Sequence, residues 1–132
     1  LRFVDTQGFH GQRFSPFIVL SGDSSISLVN RLLTRFWDLP EPQLILDVTG
    51  SASGMLTLDL PNEYALRRAL LALSMRGKFW VVTGGTNTGI MKVIGNVIRV
   101  LAEELGQHVP LIGVVPFGAI HHAEKLVDQH GQ

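Results

Sequence analysis

Phe79-Trp80-Val81-Val82-Thr83-Gly84-Gly85-Thr86-Asn87-Thr88-Gly89 is the stretch that decides the architecture. FWVVT is rich in β-branched and aromatic residues and predicts a short strand. It empties into a glycine-rich turn, and an apolar-periodic stretch from Ile90 to Leu105 follows. Strand, glycine turn and helix in that order bring the backbone N–H groups of the turn and the positive end of the helix to one point, a chassis for holding phosphate.

The spacing narrows the chemistry. Glycines fall at 84, 85 and 89, which is not the G-x-G-x-x-G of a dinucleotide fold. The four-residue gap of a P-loop is present, but Ile90-Met91 stands where Lys-[Ser/Thr] would hold phosphate and magnesium, which argues against NTP hydrolysis. What remains is an anion site built from N–H groups, with Thr86, Asn87 and Thr88 as polar donors or helix caps. A tight β–α connection that needs glycine only for its geometry fits the same residues, and the turn alone leaves both readings open.

Two further loops of small residues follow strand-like runs. Leu44–Val48 (LILDV) runs into Thr49-Gly50-Ser51-Ala52-Ser53-Gly54, and Leu111–Val115 (LIGVV) into Pro116-Phe117-Gly118. Helical spacing of 3–4 predicts helices over Ser24–Trp37, with Ile26, Val29, Leu32, Leu33 and Phe36 on one face, and over Asn62–Arg76, with Leu66, Leu70 and Leu73 buried. Asp23 or Ser24 would cap the first, and the prolines of DLPEP would end it. Gly77 would stop the second and Gly106 the third. Gly95, inside the third helix, costs about 1 kcal/mol against alanine, which close packing on the sheet would justify. Phe17–Leu20 reads as another buried strand.

Residues 1–16 have no sustained period and read as a peripheral lead-in, a hairpin or a loose segment, with 17–132 expected to form one domain. The order β-α-β-α-β-α-β predicts an α/β fold, a three-layer, doubly wound parallel sheet with right-handed crossovers. The end at His130-Gly131-Gln132, without a closing element, reads as a sheet incomplete at its C-terminal side. Ligands of such sheets sit beyond the carboxyl ends of the strands, where all three small-residue loops fall.

At 132 residues the chain is about one domain. Its 45% apolar and 17% charged residues suit a sheet covered on both faces or a piece of a larger packed assembly. The start at Leu1, without an initiator Met, favours the second. Eleven basic and eleven acidic residues leave no electrostatic footprint for nucleic acid. The absence of cysteine excludes disulfides and thiolate zinc sites and fits a reducing compartment. No apolar run approaches the ~20 residues of a membrane span, and no signal peptide is visible.

Other candidates carry less. Arg67, Arg68, Lys92 and Arg99 are cations that phosphate would want, although most arginines on helix faces only solvate them. Asp47 interrupts an apolar strand and needs a partner or a raised pKa if buried; a structural, backbone-bonded carboxylate is the simpler reading. His121-His122 with Glu124 lacks a sensibly spaced third ligand, so no metal is expected. Trp37 and Trp80 occupy apolar periodic positions and read as core. There is no nucleophile elbow and no catalytic residue is assigned.

TGGTNTGIMKVIG followed by IGVVPFG resembles the SLOG superfamily of Rossmann-like nucleotide sensors, and within it the N-terminal region of TRPM cation channels. RLLTRFWDLPEPQLILDVTGSA resembles the same family's helix, proline break and strand, so the likeness covers about residues 17–118. It implies a cytoplasmic regulatory domain of a cation (calcium) channel that senses ADP-ribose or a related nucleotide without transforming it. It also implies a larger parent chain assembled as homotetrameric subunits, and no cofactor. Carried over by motif, Thr49, Gly50 and Ser51 with Gly84, Gly85, Thr86, Asn87, Thr88 and Gly89 would hold phosphates and ribose, and Pro116, Phe117 and Gly118 would wall the base or sugar. Gly50-Ser51 stands where many relatives have Gly-Gly, Phe117 replaces the commoner Trp, and the family's later strands are absent. The same motifs resemble LOG-type phosphoribohydrolases, whose P-G-G-x-G-T-x-x-E segment does not follow Gly118 here. A third reading keeps the fold as a ligand-free assembly module.

Overall fold

The computed structural model describes residues 16–50, 59–121 and 123. Its centre is β2, Phe79–Thr83, which pairs in parallel with β1 (Leu44–Val48) on one side and β3 (Leu111–Gly113) on the other. The registers run from Leu44↔Phe79 to Val48↔Thr83 and from Val81↔Leu111 to Thr83↔Gly113. Both flanks of β2 are therefore hydrogen-bonded, which fits its having the most buried residues of the three strands and a nearly continuous apolar sequence.

The helices follow from the strand order. Because β1, β2 and β3 lie side by side in chain order, two right-handed crossovers must place their helices on the same face of the sheet. These are α2, Leu60–Arg76, and α3, Gly89–Leu105, and they contact each other. That face carries Phe79 and Val81 from β2 and the partly buried Leu46 and Val48 from β1, since register partners point the same way. Leu70 of α2 and Ile94, Val97, Ile98 and Leu101 of α3 close on them to make the core. Buried positions at 94, 97, 98 and 101 are the apolar stripe of an amphipathic helix.

The opposite face carries Trp80, Val82, Ile45 and Asp47. Trp80 is buried, and its indole N–H donates to the carbonyl of Pro40 at 2.9 Å, so the segment after the first helix crosses this side. Asp47 is exposed there, and the buried-carboxylate reading does not hold.

Local signals set the element ends. α1 is Ile26–Arg31 and continues as a π-helical turn, Leu32–Phe36. Its cap is Ser25, whose hydroxyl accepts from the Leu28 N–H at 3.2 Å, and not Asp23 or Ser24. Asp23 is held by the Ser21 hydroxyl and its own backbone N–H, which lower its pKa from the usual value. Asp59 caps α2 through the Asn62 N–H at 3.0 Å, with Pro61 in the first turn. Gly77 ends α2 in an extended conformation (φ 174°), whereas Gly106 ends α3 in the left-handed one (φ 63°).

Three further expectations need correction. Phe17–Leu20 forms no strand, and Phe17, Val19 and Leu20 are 41%, 55% and 39% exposed; an apolar run becomes a strand only where a ladder partner accepts it. β3 ends at Gly113, two residues short of the expected Val115, and Leu111 is exposed at this edge of the described sheet. Gly95 is not forced by close packing, since a Cβ there would meet only Leu111 Cδ2 at 4.0 Å, an ordinary contact. Gly95→Ala is accordingly expected to stabilise the chain by up to about 1 kcal/mol. A urea titration should show this as a higher midpoint with an unchanged slope.

Candidate functional site

The carboxyl ends of β1, β2 and β3 open on one edge of the sheet, and each continues into one of the small-residue loops. Thr49 and Gly50 follow β1 and are exposed; Ser51 lies outside the described residues. Gly84–Gly89 follows β2, and Pro116–Gly118 lies just beyond β3, where Phe117–Ala119 makes a 3-10 turn closed by Ala119 N–H to Pro116 O at 2.9 Å. Phe117 is 38% exposed at this edge.

The central turn is fixed at its root. Buried Thr83, the last residue of β2, accepts the Gly85 N–H on its hydroxyl at 3.2 Å and accepts the Val114 N–H on its carbonyl at 2.9 Å. Gly85 and Gly89 adopt φ values of 71° and 53°, a region that a side chain makes costly. Gly84 has no such φ, and a Cβ on it would touch only the Met91 side chain at 3.9 Å.

Neighbouring elements press on the turn from both sides. From the β1 side, Gly50 comes so close to Ile90, in the first turn of α3, that a Cβ would stand 2.9 Å from Ile90 Cγ2. From the β3 side, Gly85 and Gly113 meet backbone to backbone. Sequence reasoning missed Thr83, Gly113 and Ile90 as parts of this constellation. A glycine inside a strand, which often marks close backbone approach, was the available signal for Gly113.

The start of α3 lacks a capping side chain. Its first turn contains no acidic residue, and Thr88, the N-cap, makes no side-chain cap hydrogen bond. The Thr88 hydroxyl instead pairs with that of Thr86 at 3.0 Å. The first N–H groups of a helix have no partner within it, so here they and the helix dipole are not answered by the usual capping oxygen.

Of the four candidate cations, two are committed elsewhere. Arg67 pairs with Glu104 at 3.0 Å, and Arg99 with Glu103 at 2.9 Å. Arg68 lies over the Tyr64 ring, 5.9 Å from its centroid. Lys92 is exposed one turn into α3 and is the cation nearest in sequence to the glycine turn. Among the described residues no group of three His, Asp or Glu side chains is placed to hold a metal ion. His121 is described and exposed, while His122 and Glu124 lie outside the described residues. No helix among the described residues is long and apolar enough to cross a membrane.

Comparison with known proteins adds an independent line. A family model described as "SLOG in TRPM" matches residues 15–132. The chain is 30% identical over 128 residues to the transient receptor potential cation channel subfamily M member-like 2 of Nematostella vectensis, covering 96% of this chain and 8% of that one. It is 32% identical over 123 residues to subfamily M member 2 of Rattus norvegicus, covering 91% and 8%. Member 4 of the same organism is 31% identical over 125 residues, covering 93% and 10%. The chain thus spans a tenth or less of the length of these relatives.

Proposed function

The chain belongs to the SLOG family of TRPM channels, and from that premise we propose that it is a nucleotide-sensing module, the cytoplasmic regulatory domain of a cation channel that binds ADP-ribose or a close relative. The diphosphate lies on the amide groups of Gly85–Gly89 at the uncapped start of α3. Thr49 and Gly50 flank it on the β1 side and help hold phosphate and ribose, and Pro116–Gly118 on the β3 side wall the base or sugar. One observation carries the reading: three adjacent strands deliver three small-residue loops to one edge, and the middle loop leads into a helix with no Thr88 side-chain cap and no carboxylate in its first turn.

The arginines favour a site made of backbone. With Arg67 and Arg99 held by glutamates, the charge of the ligand is met chiefly by amide dipoles and Lys92. Such a site binds anions without activating a nucleophile, which suits a sensor better than a hydrolase.

Titration calorimetry with ADP-ribose, AMP and NAD, with chromatography of the mixtures afterwards, tests the proposal. Binding of ADP-ribose that returns intact is the expected result. Release of free base from AMP would make the chain a phosphoribohydrolase. No heat with any of the three would leave an assembly module, for which the exposed apolar Ile45 and Leu44 of β1 would be the contact surface.

A further inference from the structure

We propose that Gly113 is a positioning residue for the nucleotide, acting through Gly85 and without touching the ligand. The proposal rests on the reading of the glycine turn as the anion cradle. Gly113 closes β3 opposite Thr83, and the next residue, Val114, donates its N–H to the Thr83 carbonyl at 2.9 Å. A Cβ on Gly113 would lie 2.7 Å from Gly85 Cα, and a Cβ on Gly85 would lie 3.2 Å from Gly113 Cα and C. Both surfaces are backbone, so no rotamer change relieves either contact.

Conformation does not explain the glycine at 113. The left-handed glycines among the described residues are 85, 89 and 106, and Gly113 is not one of them. Glycine inside a strand costs backbone entropy and gives up a side chain that would pack. What it gains is the close approach. Gly85 is thereby held from two directions, by the Thr83 hydroxyl on its N–H and by the β3 backbone against its Cα. In the proposed cradle the amides of Thr86–Gly89 follow directly on Gly85, so the seat on Gly113 sets where they lie.

The test is Gly113→Ala, with Gly22→Ala as control because a Cβ at Gly22 meets nothing within 4 Å. In amide NMR spectra without ligand, Gly113→Ala is expected to shift Gly84, Gly85 and Thr86 while leaving Leu70 and Val97 of the core in place. Its affinity for ADP-ribose should fall by about tenfold or more. The control should change neither. Wild-type affinity in a folded Gly113→Ala, or unshifted turn amides, overturns the positioning role. A wild-type chain that takes up no ADP-ribose overturns instead the site reading beneath it. Should Gly113→Ala fail to fold, hydrogen exchange in the wild type decides. ADP-ribose is then expected to slow exchange at Val114 together with Gly85, and an unaffected Val114 overturns the proposal.

Discussion

Gly85→Val is expected to abolish ADP-ribose binding and to lower stability while leaving the chain folded. Two costs add. An L-residue at φ 71° sits in the left-handed region, at about 1–2 kcal/mol. Its Cβ would also meet Gly113 Cα and C at 3.2 Å and Val114 N at 3.3 Å. Overpacking of that kind costs about 1–3 kcal/mol. The sum, about 2–5 kcal/mol, is a large share of the ~5–15 kcal/mol that holds a typical domain together. The turn can escape only by swinging away from β3, which would carry Thr86–Gly89 out of the proposed anion site. Urea denaturation and calorimetry on the same preparation measure the two effects. A variant with a lowered midpoint and unchanged affinity would show that the turn does not cradle the ligand.

Much of this architecture was legible because it is local. β1 and β2 have the expected bounds, since LILDV and FWVVT are dense in residues that fit a pleated surface between turn signals. α3 has the expected extent to within a residue, because its apolar stripe repeats at 3–4 spacing and Gly106 supplies the left-handed stop. Phe17–Leu20 misled for the opposite reason. Four apolar residues carry no period long enough to separate strand from coil, and only a ladder partner decides. Side-by-side strand order was equally out of reach, and it places α2 and α3 on one face while Trp80 and Pro40 meet on the other.

The site was legible as three loops and illegible as a constellation. Small residues after strands announce themselves, but the contacts that shape them join residues far apart in sequence. Gly85 meets Gly113, Gly50 meets Ile90, and Arg67 is drawn to Glu104. Nothing in GGTNTG tells which glycine needs its freedom. Gly85 and Gly89 do, whereas Gly84 does not. Arg67 and Arg99 show a related effect: a cation on a helix face is freely available to a ligand only if no carboxylate reaches it first. These long-range pairings explain why the resemblance to a family carried the functional reading further than spacing did.

Leu101→Ala separates the fold from the site. Leu101 is fully buried in α3, within the cluster that includes Leu70, Val81 and Val97. Truncating a leucine in such a place loses its transfer energy and leaves a cavity, together about 2–5 kcal/mol. With a urea slope of about 2 kcal/mol/M, the middle of the usual range, the midpoint should fall by roughly 1–2.5 M. Leu101 lies in the second half of α3, away from Gly89 at its start, so nothing in the turn is touched. In dilute buffer, where the variant is still mostly folded, ADP-ribose affinity should therefore match the wild type, unlike Gly85→Val. Equal loss of binding in both variants would mean that the turn depends on overall stability and not on the geometry at Gly85 and Gly113. A fall of less than about 1 kcal/mol for Leu101→Ala would instead mean that α3 is not packed on β2 as described, since no well-filled core absorbs that deletion so cheaply.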